Sequence, residues 1–491
     1  MNSFIKRISL LTITFILASC SGIKPNDSQS SNSSHQNTNN VSSSSLPSSS
    51  DIVSSISQNP SSASSSDYSS SWSHTEQMLF SKQLRNPDSL SHSYSYNDTR
   101  VSEYLAFKDK INTFANKLSE YFAKSKYRSG QNIVISPLSI ELCLGLAIRS
   151  ANGQTREELL NALGVDYQTF NSYYKLFFNE MSKVYKSNTG DVMSESLLTN
   201  SIWIDKKVSL LDSGLDALRD DYYCYAYETD FSGHNQEANA DLSEFIKESS
   251  KGMIEPNLSL SPEILFVLMN TLYIKDVWNE GGFDLPTNSG HPFTNSDNTQ
   301  SSKPLLQGYY FDGKALEKED YSAFYTKTEN GYTLYFIKPN ADKTANDVFN
   351  KENIACVIDQ NNYILKDDKK EEEYHTRCIF PEYTADADID LTKLFNEKFN
   401  VTTLFNLATC DLTNLTNEEV YCSDFRHIAK LEVDKKGIRG AAVTYMAYAG
   451  AAGPGPYKQV YEDFIIDHEF GFVLMKDNIN IFSGIVTNID K

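Results

Sequence analysis

Residues 431–456 read LEVDKKGIRGAAVTYMAYAGAAGPGP, and the fold has to accommodate this stretch. It begins as a short strand, Leu431–Val433, in which apolar and charged residues alternate. After Gly437 come mostly small side chains, up to Pro454 and Pro456. This composition suits neither a solvated loop nor a core helix, but it fits closely between neighbouring strands. The stretch therefore predicts a loop that can become a strand.

Successive side chains of an inserted strand would point to opposite faces of the sheet. The face that can be buried would hold four positions: Ile438, Gly440, Ala442 and Thr444. The opposite face would hold Arg439, Ala441, Val443 and Tyr445, which leaves the one charge in solvent. Proline cannot donate to a central ladder, so we expect both prolines to lie beyond the inserted part.

The N-terminal 19 residues have the features of an export signal. Two basic residues precede the apolar run Ile8–Leu17, which is about half of the roughly 20 residues that a membrane span needs. The run ends in Leu-Ala-Ser-Cys, which resembles a bacterial lipobox and implies cleavage before Cys20 and lipidation of its thiol. We therefore expect an extracytoplasmic protein that is lipid-anchored to the bacterial cell membrane. The alternative is an ordinary signal peptide with a chance cysteine.

Residues 20–100 are rich in Ser and Asn and poor in large apolar side chains. Such a segment cannot bury enough surface to offset the entropy of ordering it, so we expect a flexible tether. The foldable part is then residues 101–491, about 390 residues, which is enough for one large domain or two small ones.

Charge and cysteine content exclude several classes of function. The net charge of −20 argues against a nucleic-acid partner, which would need clustered Lys and Arg. Six cysteines besides Cys20 have no C-x-x-C spacing and are too sparse for a disulfide scaffold, so we expect no metal site and no cofactor, and no pairing is assigned. These are Cys143, Cys224, Cys356, Cys378, Cys410 and Cys422.

The chain from residue 101 onwards has the pattern of an α+β domain, with helices clustered toward its N-terminal half. Ser136-Pro137 predicts a helix start, and the helix that follows, Leu138–Arg149, is apolar on nearly every side and should be central. Ile264–Lys275 is an almost continuous apolar run and predicts a strand buried on both faces. Asn270 within it needs hydrogen-bond partners, or it costs about 1–3 kcal/mol.

Several motifs, in order and spacing, resemble the serpin family over roughly Val101 to Lys491. They are Asn132–Ser139, Ala151–Thr155, the Asn270–Lys275 segment with Trp278, Val420–His427, Phe470-x-Phe472 and Phe482-x-Gly484-x-x-x-Asn488. The resemblance implies a serpin fold, which has a large mixed central β-sheet, further sheets and an exposed reactive-centre loop.

The resemblance also implies a role for several polar residues. Ser136, Ser139, Asn270 and His427 match the family's shutter, a hydrogen-bond network across the strands that must part. Trp278 matches the aromatic residue under the top of the sheet, where insertion begins. The serines can equally be helix caps and the histidine a satisfied core residue, and both interpretations can hold at once. None of these residues is expected to be a catalyst.

The function that the resemblance implies is suicide inhibition of a serine protease, through cleavage of the loop and its insertion into the sheet. Family spacing places the reactive bond fourteen residues after Gly437, at Ala451–Ala452, which would suit an elastase-like protease. The span to Phe470 is long for the family, so cleavage at Tyr448 or nearby stays open, and a chymotrypsin-like protease is a second option for the target. A cysteine protease is a further option for the target, and the inhibitor is expected to be a monomer.

Three residues of the hinge depart from the family pattern. Lys435 stands where Glu is usual, Ile438 where Thr or Ser is usual, and Gly440 where Ala is usual. These departures keep a second hypothesis open, a non-inhibitory serpin that acts as a surface binding or scaffold protein. A hydrolase is disfavoured because there is no G-x-S-x-G and because His468-Glu469 lacks the second His of H-E-x-x-H, so no enzyme activity is expected.

Overall fold

The computed structural model describes residues 80–187, 190–279, 292–423, 425–438 and 457–491. Contacts divide the chain into Met1–Ser61 and Ser62–Lys491, and every described residue belongs to the second unit. The export signal, Cys20 and most of the expected tether lie outside the described residues. Within the described ranges, no helix is both long and apolar enough to cross a bilayer.

Helices dominate the first part of the described chain. The helices there are α1 (Ser102–Lys126), α2 (Pro137–Ser150), α3 (Gly153–Leu163), α4 (Tyr167–Met181), α5 (Asp212–Tyr222) and α6 (Asn235–Ser249). Shorter helices follow later, namely α7 (Ala345–Val348), α8 (Lys351–Ile358) and α9 (Thr392–Phe399). The expected clustering of helices toward the N-terminal half is confirmed.

In the described part of the chain, the main sheet has eight strands and mixes parallel and antiparallel pairs. Its strands are β1 (Lys82–Arg85), β3 (Lys183–Lys186), β4 (Val192–Asp205), β5 (Cys224–Thr229), β6 (Phe266–Val277), β13 (Tyr383–Asp390), β14 (Arg426–Asp434) and β15 (Gly437–Ile438). Their order across the sheet is β1-β5-β4-β6-β15-β14-β13, with β3 paired to β4.

Two further sheets complete the domain. A six-stranded sheet has the order β2 (Ile133–Ile135), β18 (Ile479–Val486), β17 (Phe470–Lys476), β10 (Tyr332–Pro339), β9 (Tyr321–Lys327) and β8 (Leu316–Glu317). The third sheet contains β7 (Leu305–Asp312), β11 (Lys366–Asp367), β12 (Glu372–Pro381) and β16 (Lys458–Ile465).

Helix α2 is the centre of the domain, as its apolar sequence predicts. It packs against β6 of the main sheet and β18 of the second sheet, and nearly all of its residues are buried. A Cβ atom on Gly145 would lie 2.2 Å from the ring of Tyr174, so glycine lets α4 approach the helix. The Tyr174 hydroxyl then donates to the carbonyl oxygen of Leu142 at 3.0 Å. Helix α4 is thereby held against α2.

The tether was predicted to extend to residue 100, but the folded domain begins earlier in the sequence. Strand β1 pairs antiparallel with β5 and covers that edge of the main sheet. Arg85 forms ion pairs with Asp212 at 2.6 Å and Asp216 at 2.8 Å. Backbone pairing and charge pairs attach this polar segment to the domain. The periodicity of apolar residues does not detect such contacts. Residues 80–100 therefore belong to the folded domain.

Strand β6 differs from the expectation of burial on both faces. Its second half is mostly buried, but Val267, Leu268, Met269 and Asn270 are only half-buried. Among the described residues, β6 pairs with β4 along most of its length and on its other edge only with the short β15. The half-buried residues lie where β15 has ended, so the main sheet is partly open at this place.

Candidate functional site

The hinge of the expected loop is already part of the main sheet. Strand β15 pairs antiparallel with β14, with Ile438 opposite Val433, and with β6, with Ile438 opposite Asp276. The side chain of Ile438 is 1 % exposed and belongs to the main core. The sheet therefore accommodates Ile in place of the smaller residue that is usual in the family, on the face expected for it.

Trp278 holds the turn that connects β14 to β15. Its indole N–H donates to the carbonyl oxygen of Asp434 at 2.7 Å, and its backbone N–H donates to that of Lys436 at 3.2 Å. The carboxylate of Asp434 accepts from the backbone N–H groups of Lys436 at 2.7 Å and Gly437 at 3.1 Å. The buried tryptophan thus stabilises the turn at which the strands begin to separate.

Gly437 and Lys435 have different structural positions in this turn. A Cβ atom at Gly437 would lie 1.9 Å from the carbonyl oxygen of Asp276, so a side chain there would push β15 away from β6. Lys435 is exposed, and its backbone N–H donates to the carboxylate of Glu382 at 2.9 Å. The reversed charge at Lys435 therefore faces solvent and does not enter the sheet.

Beyond β15, the described parts of β6 and β14 run alongside each other without pairing. A cavity lies between them, lined by Val267 and Met269 of β6 and by Arg426 and Ile428 of β14. Helix α6 contributes Ile246 to the same cavity. The open edges of two strands thus flank an apolar space that continues in line with β15.

The four residues expected to form the shutter lie together at the first turn of α2. The backbone N–H of Ser136 donates to Nε2 of His427 on β14 at 3.1 Å. The hydroxyl of Ser139 donates to the carbonyl oxygen of Asn270 on β6 at 3.3 Å. These two contacts are joined to each other because the Ser139 N–H donates to the Ser136 hydroxyl at 3.2 Å. The helix start therefore bridges the two strands on either side of the gap.

Two members of this network, Asn200 and Tyr174, were not identified from the sequence. Asn270 lies opposite Asn200 on β4, and its amide group donates to the Asn200 oxygen at 2.9 Å. Asn200 in turn donates to the Tyr174 hydroxyl at 3.0 Å. Among the described residues, the side-chain oxygen of Asn270 has no hydrogen-bond partner. The sequence signal for this contact was a polar residue within each of two apolar strands. Only the strand register shows that the two residues are partners.

His427 is neutral in this structure because its Nε2 accepts a hydrogen bond and so carries no proton. Burial lowers the pKa of His427 from 6.5 to about 4, and the nearby carboxylate of Asp388 opposes that shift only weakly. The neutral imidazole is the form that can accept from the Ser136 N–H. The link between α2 and β14 therefore depends on pH.

Acid should weaken the fold through His427. Between pH 6.5 and pH 4 the unfolded chain binds a proton at this position and the folded chain does not, so each pH unit costs about 1.4 kcal/mol. We expect the difference in free energy of unfolding between the wild type and His427→Gln to narrow by that amount per pH unit as the pH falls through this window. Urea unfolding at pH 7, 5.5 and 4 measures it. A constant difference would show that His427 does not titrate in this way.

Other expected site residues lie outside the described residues. These are Gly440, Ala442, Thr444, Tyr448, Ala451, Ala452 and Cys20. In the part of the chain that is described, no group of three or more His, Cys, Asp or Glu side chains could hold a metal ion. No disulfide joins the six cysteines of that part to one another.

Comparison with known proteins identifies the family. A family model described as serpin, serine protease inhibitor, matches residues 109–489 of this chain. The chain belongs to the serpin family. Serpins are mostly protease inhibitors, not catalytic enzymes, which agrees with the absence of hydrolase motifs in the sequence.

Individual serpins resemble this chain along most of its length. Iripin-2 of Ixodes ricinus is 25 % identical over 359 residues, which is 70 % of this chain and 84 % of the relative. Corticosteroid-binding globulin of Ovis aries is 25 % identical over 333 residues, 66 % of this chain and 73 % of the relative. The native state of the thermophilic serpin tengpin, at 20 % identity and a TM-score of 0.62, covers 78 % of this chain and 94 % of that one. The predicted α+β serpin fold is confirmed.

Proposed function

We propose that this serpin is a suicide-substrate inhibitor of serine proteases, whose cleaved loop becomes a central strand of the main sheet. The observation that carries the proposal is the position of β15, which already separates β6 from β14 at the end of the sheet where the loop begins. Beyond it, two strand edges and an apolar cavity are ready to receive more of the same chain. A loop that follows this hinge can be added residue by residue.

The register of β15 specifies which residues would be neighbours after insertion. Continuing it along β6 brings Ala442 opposite Leu272, and continuing it along β14 brings Ala442 opposite Ala429. Leu272 and Ala429 are both buried in the main core. Ala441 would face the other side of the sheet, beside Lys430, which is half-buried. The small side chain of Ala442 thus falls on a face where space is limited.

The same register brings Thr444 to the shutter. Its neighbours would be Asn270 on β6 and His427 on β14. The Asn270 side-chain oxygen has no hydrogen-bond partner among the residues that the structure describes, and a threonine hydroxyl can donate to it. Satisfying a buried acceptor is worth about 1–3 kcal/mol. Insertion would therefore complete the polar network as well as the sheet.

The trapping of a protease follows from the order of the steps. The protease attacks the loop and is acylated, and insertion then carries the enzyme along before it can deacylate. Each backbone hydrogen bond gained contributes about 0.5–1.5 kcal/mol, so a strand of roughly ten residues can supply on the order of 10 kcal/mol. Strand insertion into the sheet provides the free energy that traps the enzyme, and the protease itself cleaves the loop.

Target and location complete the proposal. A reactive bond at Ala451–Ala452 would favour an elastase-like protease, whereas cleavage at Tyr448 would favour a chymotrypsin-like one. Lipidation at Cys20 would anchor this monomeric inhibitor outside the bacterial cell membrane, where it meets such enzymes. The second candidate function is that of a non-inhibitory binding or scaffold protein. The similarity to corticosteroid-binding globulin supports this alternative.

A gel assay tests the proposal. The full-length chain in detergent is incubated with elastase-, chymotrypsin- and subtilisin-like proteases, and we expect a complex that survives SDS with at least one of them. Mass spectrometry of the released C-terminal peptide then gives the cleaved bond. Complete cleavage with full protease activity retained in every case would exclude inhibition of these enzymes.

Thermal unfolding separates the two candidate functions. A loop that inserts after cleavage adds a strand's hydrogen bonds, so the melting temperature should rise by at least about 10 °C. The measurement compares intact and cleaved protein by circular dichroism. An unchanged melting temperature would mean that the loop does not insert, which would favour the binding or scaffold protein.

A further inference from the structure

The outer face of the third sheet has a cluster of exposed aromatic side chains. Tyr310 on β7 is 38 % exposed and Tyr461 on β16 is 59 % exposed, and their ring centroids are 5.0 Å apart in an edge-to-face arrangement. The ring of His375 stacks on Tyr461 at 5.0 Å, and the guanidinium of Arg377 lies 4.9 Å from the centroid of Tyr310. We call Tyr310, His375, Arg377 and Tyr461 the aromatic platform.

Strand register assembles this platform from three distant parts of the chain. On β12, His375 lies opposite Asp312 and Tyr461, and Arg377 lies opposite Tyr310 and Asp463. Residues directly opposite each other share a face of the sheet. The register between β7 and β12 shifts by one residue just beyond Arg377, and a bulge of this kind redirects side chains.

Polar contacts hold the platform in a defined geometry. Arg377 forms two hydrogen bonds of 2.9 Å with the carboxylate of Asp463. Nδ1 of His375 lies 3.0 Å from a carboxylate oxygen of Asp312, and the Tyr310 hydroxyl donates to Asp463 at 3.4 Å. Exposed ion pairs contribute little to stability, so folding alone does not account for this arrangement. Rigid tyrosine and arginine side chains are the residues that dominate binding at protein interfaces.

The position of β16 in the chain indicates what binds there. The strand begins at Lys458, seven residues after Ala451, so at most about 25 Å of chain separates its start from the bond that is cut. A protease of about 230 residues is roughly 45 Å across. An enzyme that holds the loop in its active-site cleft therefore extends over the neighbouring surface of this sheet.

We propose that the aromatic platform is a second contact surface for the protease that attacks the reactive loop. This inference rests on the proposed function insofar as the loop has to be the protease's substrate. The matching face of the protease has an apolar centre for the tyrosine rings and basic side chains around it. Cations bind to tyrosine faces, and the exposed carboxylate of Asp312 offers them a partner. The net charge of −20 also steers a basic protease toward the inhibitor.

The test compares full-length wild type with the double variant Tyr310→Ala, Tyr461→Ala. The probe is whichever of the elastase-, chymotrypsin- and subtilisin-like proteases reacts fastest with the wild type. We expect the second-order rate constant for its association to fall tenfold or more in the double variant. The double variant Tyr310→Phe, Tyr461→Phe keeps the rings and should recover most of the rate. Tyr96→Ala, an exposed tyrosine outside this sheet, is the matched control and should react like the wild type.

Two measurements keep the outcomes distinct. Melting temperatures of all variants show whether the sheet is intact, and the Phe variant reports on the surface if the Ala variant unfolds. If no protease forms a stable complex, the proposed inhibition fails, but the rate of loop cleavage still reports on docking and should fall in the Ala variant. Equal association and cleavage rates in the wild type and the Ala variant would overturn the platform as a protease contact.

Discussion

Under the proposed inhibitory function, Ala442→Glu should convert this serpin from an inhibitor into a substrate. In the register set by β15, residue 442 would lie between Leu272 and Ala429, both in the buried core. A carboxylate enclosed there without a partner costs several kcal/mol, which slows the insertion of the strand. The protease should still cleave the loop and then deacylate. We expect the complex that survives SDS to disappear while the cleaved inhibitor and the free protease accumulate.

Ala441→Glu is the matched control for this prediction. Residue 441 would face the opposite side of the sheet, and its neighbour on β14 would be Lys430, whose charge is favourable for a glutamate. The loop carries the same added charge in both variants. A difference in protease trapping between them therefore depends on which face of the sheet the residue occupies, and not on the added charge. We expect Ala441→Glu to trap the protease about as well as the wild type. Equal behaviour of the two variants would contradict the register derived from β15.

Replacing Glu141 should stabilise the native protein strongly. Glu141 lies in α2 at 2 % exposure, and neither of its carboxyl oxygens has a hydrogen-bond partner in the described part of the chain. Burial raises the pKa of Glu141 well above 4.5, so the folded protein keeps this proton to a higher pH than the unfolded chain does. Above pH 4.5 the unfolded chain releases this proton, and the native state loses about 1.4 kcal/mol per pH unit until its own raised pKa is reached. Glu141→Leu removes this loss and also the unsatisfied polar group, which is worth about 1–3 kcal/mol more.

Glu141→Gln separates the two contributions. The amide stays neutral at every pH and keeps the shape of the side chain, so this variant should match the wild type near pH 4 and exceed its stability at pH 7. Glu141→Leu should be more stable than the wild type at both values. Urea unfolding from pH 4 to pH 8 measures the difference for each variant. Parallel stability curves for the wild type and Glu141→Gln would mean that the folded carboxyl group ionises normally.

Much of the fold was predictable because its signals are local. Ser136 caps α2 and Pro137 begins it, which any chain with these residues would favour, and the apolar surface of the helix makes it central. The faces of the hinge follow from the two-residue period of a strand, and Ile438 lies on the face expected for it. The resemblance to serpins then indicated which buried polar residues would meet across the main sheet.

Other features could not be predicted, because they depend on contacts between residues that are far apart in the sequence. Asn200 and Asn270 each interrupt an apolar strand, but only the register of β4 and β6 makes them partners. The polar strand β1 forms because β5 offers an open edge for pairing. The sequence alone does not show this edge, so β1 was predicted to be part of the tether. Backbone pairing of this kind leaves no periodic pattern in the side chains.

By itself, then, the sequence determined the face of Ile438 and the helix start beneath the main sheet, since each of these follows from the chemistry of neighbouring residues. Only the tertiary structure decided where the described part of the hinge lies. It places β15 between β6 and β14, and about 150 residues of chain separate those two strands. The same holds for the aromatic platform, whose rings come from three strands. Residues so distant become neighbours only when long-range strand pairing fixes their register.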